Sequence, residues 1–325
     1  MKRLILSGSY GLGFRRANLA EVIVQFIFDF TWGELPSPQQ LATYLDARSD
    51  SHGRGEHWSD FVDKRRLNDD RLDLSLLEFC EPYDEVDLWF DPRPANQLIL
   101  IWLLDFFRPY PELLSKIRVR LLDFDLLYED NEKVFLKGKI PAAPVGQARR
   151  EIASLSWQAY RATTPEACFE FLKHDSSDLP LLRPALIDLL EELPGPTGLG
   201  ASELRMLNML GAGYIRTSVL FYHRGLRQTR VFGGWQLGYL LDGLAHGPKP
   251  VVAGLDDEIR TLSLTNYRDR ETAYKRSRLT ITDFGRAVLR HEEDFSRHNP
   301  IDRWWGGTHL TSDRMWRWQP TLIGP

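Results

Sequence analysis

Cysteine is scarce. Cys80 and Cys168 are the only two in 325 residues, far apart and without CxxC spacing. That excludes a disulfide framework and a thiolate zinc site, and it suits a reducing compartment. Long apolar runs are missing as well. The longest, "LILIWLLDFF" (98–107), is broken by Asp105, so no segment reaches the roughly 18 apolar residues of a membrane-spanning helix. "MKRLILSGSYG" passes from two positive charges into a short apolar strand and then glycines, too short an apolar stretch for a secretory signal. A cytoplasmic chain with no membrane partner is therefore expected. The signatures of covalent catalysis are absent too: there is no GxSxG elbow, and neither cysteine has a local nucleophile pattern. The eight histidines never fall in HxH or HxxxH spacing, and His52 and His57 merely share a loop. No metal and no cofactor is expected.

What is present is ordinary material for a globular core: 43% hydrophobic, 26% charged and 12% aromatic residues. The length suits two or three domains. Net charge is −4 but unevenly spread, with 18 basic against 24 acidic side chains over 1–144 and 18 against 13 over 201–325. A mildly basic C-terminal third is compatible with chance, or with a phosphate-bearing partner.

Four short apolar runs, "RLILSG" (3–8), "EVIVQFIF" (21–28), "EVDLWF" (85–90) and "IRVRLLDF" (117–124), read as buried strands. Between them, "SPQQLATYLDA" (37–47) has a Ser N-cap with proline next, and "NQLILIWLLDFF" (96–107) is apolar enough to be buried. This order implies an α/β fold with a Rossmann-like parallel sheet over residues 1–140. "GKIPAAPVG" (138–146) is the linker candidate. Connecting helices follow over 147–200. Residues 201–325 read as mostly helical: a helix capped by Ser202, two more helices, then short strands around "KPVVAGL" (249–255) and "SRLTITDFG" (277–285). That is the element order of a winged-helix-like unit, a module serving DNA and protein partners alike. "NPIDRWWGGTHL" (299–310) with Trp316 and Trp318 places four of the ten tryptophans in the last 22 residues. Exposed, they would be an aggregation hazard, so a tail that docks back is expected.

Candidate sites follow from this layout. Open parallel sheets bind ligands at the carboxyl ends of their strands. That edge offers Gly8, Ser9 and Tyr10, then Asp29, Trp32 and Glu34, then Asp91, Arg93, Asn96 and Gln97, and finally Asp125. The glycines of "GSYGLG" (8–13) run G-x-x-G-x-G with no Walker lysine after them, so a tight turn competes with a phosphate loop. Asp29, Asp91, Arg93 and Gln97 are the weak catalytic candidates, for acid–base work without a histidine; capping duty for Asp91 and Asn96 is the plainer reading. At the tail, Arg303, Trp304 and His309 form either a docking contact or a ligand pocket. Arg216, Arg224, Arg227 and Arg230 are the nucleic-acid candidates, if they share one face.

"VDLWFDPRPANQLILIWLLDFF" (86–107), "WQLGYLLDGLA" (235–245), "LTITDFGRAVL" (279–289) and the C-terminal "NPIDRWWGGTHL" with "MWRW" resemble the bacterial DUF1835-domain proteins along nearly the whole chain. The family has no established activity to carry over. Its members carry Gly-Asp-Ser after the first strand, an Arg-Asp pair and Glu-Gly-Pro after the second, and an acidic residue with His-Asp and Gln after the third. Here those places read Gly8-Ser9-Tyr10, then Gly33 with Pro36, then Asp91-Pro92-Arg93 with Gln97. The resemblance thus implies a retained frame and a degenerate polar site. Three functions compete. A non-catalytic ligand-binding or adaptor protein comes first. An enzyme acting on a phosphate- or nucleotide-like substrate at the strand ends is the second. A DNA-binding regulator is the third. A small phosphate-containing ligand, a protein partner and DNA all stay open.

Overall fold

Three of the four apolar runs lie side by side as parallel strands with the fourth, because β-branched and aromatic residues fit a pleated, covered surface. The computed structural model of the chain describes residues 2–8, 19–62, 69–124, 140–222, 231–263 and 266–325. They divide into two units. The first holds Met1–Phe30, Leu35–Arg161 and Glu170–Ala185, and the second Thr31–Glu34, Ala162–Phe169 and Leu186–Pro325.

The first unit is built on β1 (Arg3–Ser7), β2 (Val22–Gln25), β3 (Glu85–Phe90), β4 (Ile117–Leu121) and β5 (Ala143–Pro144), in the order β2-β1-β3-β4-β5. The first four are mutually parallel, with Ile5 beside Ile23 and Asp87, and Trp89 beside Arg120. β5 runs antiparallel to β4. Part of the expected linker is therefore an edge strand, a place where proline is tolerated because its missing N–H faces away from the ladder. The helices of this unit are α1 (Pro38–Leu45), α2 (Leu76–Cys80), α3 (Pro94–Phe107), α4 (Pro111–Lys116) and α5 (Gln147–Tyr160). Ser37 caps α1 with a reciprocal Gln40 contact, and Pro38 takes the first helical position. α3 is buried on nearly every side, from Leu98 to Phe107, and α5 packs on it. Trp157 of α5 meets Phe30 at 4.9 Å, and the Tyr160 hydroxyl donates to the Phe30 carbonyl.

One face of this sheet departs from an all-apolar strand pattern. Alternation puts Arg3, Glu85, Asp87, Trp89 and Arg120 on the same side as Ile5 and Ile23. Asp87 is fully buried, with Arg120 Nε at 3.0 Å and Arg3 Nε at 3.6 Å. Burial pushes its carboxyl above the ordinary range, and Arg120 pulls it back. Arg120 also lies over the Trp89 ring at 5.4 Å.

Two short helices, α6 (Glu166–Phe171) and α7 (Leu182–Leu190), each have residues in both units, and the rest of the second unit follows them in sequence. There α8 (Ala201–Gly211), α9 (Thr217–Tyr222), α10 (Gly234–His246), α11 (Tyr267–Arg276) and α12 (Asp283–Leu289) combine with three two-stranded ribbons. These are β6 (Val252–Ala253) with β7 (Thr280–Ile281), β8 (Asp302–Trp305) with β9 (Thr308–Thr311), and β10 (Arg317–Gln319) with β11 (Thr321–Ile323), all antiparallel. Gly200 precedes α8, and its N–H donates to Glu203. Ser202, expected as the cap, bonds Glu192 instead. The whole is a mixed α/β protein, and among the described residues no helix is long and apolar enough to cross a membrane.

Candidate functional site

The chain leaves β1 toward β2 on one side, while β3 and β4 lie on the other. Such a reversal opens a crevice at the strands' carboxyl ends. Among the described residues, the chain's own side chains meet at the end of β3. Asp91, fully buried just past β3, accepts from the Arg93 backbone N–H at 3.1 Å, Arg93 Nε at 3.0 Å and Asn96 Nδ2 at 2.7 Å. Arg93 Nη2 is 2.9 Å away. Gln97 Nε2 donates to the Asp91 carbonyl at 2.7 Å. Gly8 completes the closure: a Cβ there would stand 2.4 Å from Asn96 Oδ1. The positive end of α3, where an incoming phosphate would be drawn, holds the protein's own carboxylate. Two buried amide atoms at or near this edge, Gln25 Nε2 and Gln97 Oε1, have no hydrogen-bond partner among the described residues.

The structure thus brings Gly8, Asp91, Arg93, Asn96 and Gln97 together. Asp29 sits exposed in the segment after β2. Ser9, Tyr10, Asp125, Arg224, Arg227 and Arg230 lie outside the described residues. Arg216 is exposed, and its backbone bridges to Arg278. The rings of His52 and His57 meet edge to face at 5.1 Å, but each directs Nε2 at a backbone carbonyl, of Thr43 and Asp46. Among the described residues no three His, Cys, Asp or Glu side chains are grouped to hold a metal ion.

The second unit contains an open cavity of about 200 Å³. Trp32, Phe232, Trp304 and Trp305 wall it, with Arg303, Asp302, Glu192 and Thr31 as its polar members. The β8–β9 hairpin makes one side. Gly306, at φ 53°, is the first of two turn residues, the place where a primed hairpin turn calls for glycine. Alternation along β8 then sends Arg303 and Trp305 to one face, and Asp302 and Trp304 to the other. Trp305 is buried, and its Nε1 donates to the Leu189 carbonyl at 2.6 Å. Arg303 donates through Nη1 to Glu203 at 3.0 Å and through Nη2 to the Glu192 carbonyl at 3.5 Å. On the outer face His309 stacks on Trp304 at 4.6 Å, nearly parallel, and its Nε2 lies 2.7 Å from Asp302 Oδ1. Trp32 meets Phe232 edge to face at 5.4 Å and Tyr239 at 5.9 Å. Trp32, Arg303 and Trp304, singled out in the sequence, share this cavity, with His309 backing Trp304.

Glu192, also in the lining, gave no signal in the sequence. It reads there as one acid in a helix end, yet it is buried and receives the Ser202 N–H at 3.0 Å and the Ser202 hydroxyl at 2.6 Å. Burial pushes its carboxyl up to about 7, against the pull of those two bonds. Phe232 was missed as well, since only its partner ring across the cavity gives it meaning.

The "LTITDFGR" motif has a local structural account. The Thr282 hydroxyl caps α12 by accepting the Gly285 N–H and donates to the Pro250 carbonyl. Gly285 lets α12 approach the β6 side, since a Cβ there would stand 2.3 Å from the Val251 carbonyl oxygen. No protein-family model matches the chain, and no curated protein matches it either.

Proposed function

We propose that this chain is a non-catalytic ligand-binding protein whose ligand site is the tryptophan-walled cavity of the second unit. The observation that carries the reading is one opening lined by four aromatic residues, Trp32, Phe232, Trp304 and Trp305, together with an arginine anchored on Glu203. Sites for small molecules combine apolar and aromatic walls with few, well-placed polar groups. The strand edge of the first unit argues in the same direction, because Asp91 already occupies the anion-favouring end of α3. In this reading the chain is a DUF1835-type protein with a Rossmann-like sheet whose polar site has degenerated, followed by a winged-helix-like unit of structural duty.

The test is a thermal-shift screen of small metabolites against the full chain and Trp304→Ala. A ligand at a hundred times its Kd stabilises by about 2.7 kcal/mol. A compound that raises the melting temperature of the parent and not of the variant is the expected result. A screen in which every hit shifts both proteins equally removes the cavity as the site.

A second reading has one observation behind it. Gln25 Nε2 and Gln97 Oε1, buried and without a partner among the described residues, favour a small polar guest at the strand edge, and with it the enzyme alternative. A hit abolished by Gln97→Leu and untouched by Trp304→Ala would favour that reading.

A further inference from the structure

Resting on the cavity reading, we infer that the ligand is an uncharged oxopurine-type base, as free base or nucleoside, held flat between the tryptophans and read by the free edge of β8. The argument begins with the hairpin. Among the described residues β8 pairs with β9 alone, in the register Trp305 with Thr308, Trp304 with His309 and Arg303 with Leu310. Across a two-residue turn the pair flanking the turn is the hydrogen-bonded one, and bonded and non-bonded pairs alternate from there. Trp304 is therefore in a non-bonded pair, and its N–H and C=O point away from β9. Asp302 through Trp305 all line the cavity, so this unpaired donor and acceptor belong to its wall. Exposed strand edges are templates for a complementary hydrogen-bonding partner.

Size and charge narrow the partner. At about 200 Å³ the space falls below the roughly 300–1,000 Å³ of sites for drug-sized molecules, which suits one bicyclic ring better than a peptide strand. The rings of Trp32, Phe232 and Trp304 suit a flat π-surface. Arg303 is balanced by Glu203, and the other ionisable lining groups are Asp302 and Glu192. Among the described lining residues there is no surplus positive charge of the kind that nucleic-acid and nucleotide sites supply for a phosphate.

The remaining donors select the base. Arg303 has two bonds, to Glu203 and to the Glu192 carbonyl, so most of its five-donor fork is unengaged. A guanidinium pairs with the O6 and N7 acceptors of guanine. The N1–H and O6 of the same ring complement the C=O and N–H of Trp304. Adenine meets the strand edge equally well through N1 and N6–H, but it turns its amino group, a donor, toward the donors of Arg303. Unpaired polar groups in a site are what separate close analogues.

Isothermal titration calorimetry on the full chain tests this with guanosine, inosine, adenosine, cytidine, GMP and a G-rich single-stranded oligonucleotide. Guanosine and inosine are expected to bind at least tenfold more tightly than adenosine, with GMP no tighter than guanosine. Arg303→Lys keeps a cation beside Glu203 while losing the fork. It is expected to erase the difference between guanosine and adenosine, with the near-UV circular dichroism unchanged. Equal affinity for guanosine and adenosine in the parent overturns the assignment. Tighter binding of GMP or of the oligonucleotide overturns it too, in favour of a phosphate-bearing ligand. If no nucleoside binds but another compound does, in a manner lost in Trp304→Ala, this inference fails and the cavity reading stands. If nothing binds in a Trp304-dependent way, both fall.

Discussion

Replacing Glu192 by glutamine should make the second unit more stable at alkaline pH, and the structure fixes the sign. Burial raises the Glu192 carboxyl from its ordinary value near 4.5 to about 7. The folded protein thus keeps a proton that the unfolded chain has released between those values. The stabilisation is complete below pH 4.5, declines as pH rises toward 7, and is lost above it. At 1.36 kcal/mol per pH unit of separation, the rise from 4.5 to about 7 amounts to a loss on the order of 3 kcal/mol. Neutral Glu192 loses little locally, because a hydroxyl rotates: Ser202 can turn from donor to acceptor at the 2.6 Å contact and still donate its N–H. A glutamine meets the same two partners and never ionises. Urea denaturation of both proteins from pH 5 to pH 8.5 is the assay. The curves should lie within about 1 kcal/mol of each other near pH 5 and separate to about 3 kcal/mol above pH 7.5, with Glu192→Gln the more stable. Asp242, raised to about 6 mainly by burial, adds the same decline to both proteins and cancels in the difference. Parallel curves, or a variant less stable at pH 8, would refute the reasoning.

Other substitutions probe single contacts. Asp91→Ala removes the carboxylate that Asn96 Nδ2 and the Arg93 guanidinium bond and should cost the first unit about 3 kcal/mol in chemical denaturation; a change within 0.5 kcal/mol would show that the network is dispensable. Gly285→Ala sets a Cβ 2.3 Å from the Val251 carbonyl oxygen, and a loss of about 2–3 kcal/mol is expected from the forced backbone shift, read by the same method. Trp305→Phe keeps an aromatic ring but removes the 2.6 Å bond to the Leu189 carbonyl, which retains the Glu192 N–H at 3.1 Å, so the melting temperature should fall by an amount matching about 1 kcal/mol.

Much of the first unit was legible in the sequence for simple reasons. Val, Ile and Leu in short runs leave few choices but covered strands, and Ser37-Pro38 announces a helix start in three atoms' worth of chemistry: a hydroxyl acceptor, a fixed φ and an absent N–H. The polar face was hidden because "EVDLWF" reads as apolar overall; only its alternation, Glu85-Asp87-Trp89 against Val86-Leu88-Phe90, betrays it, and Arg120 answers from a strand some thirty residues on. β5 was illegible, since an edge strand is made by backbone pairing that two residues, one of them proline, do not advertise. At the candidate site, tryptophan density pointed to Trp304 and Arg303. Glu192 and Phe232 did not stand out, because a buried acid and a core phenylalanine differ from ordinary ones only by neighbours far away in sequence.

The carboxylate at the start of α3 is a tethered competitor. Asp91 lies two residues before Arg93 and five before Asn96, so it samples its own seat at the millimolar effective concentrations typical of short tethers, without any loss of translational freedom. A free anion at cellular levels must outbid that tether and also leave Asp91 a solvated place to go. Over generations, exchange of this one side chain for a small neutral residue would be enough to turn an occupied seat into a vacant one.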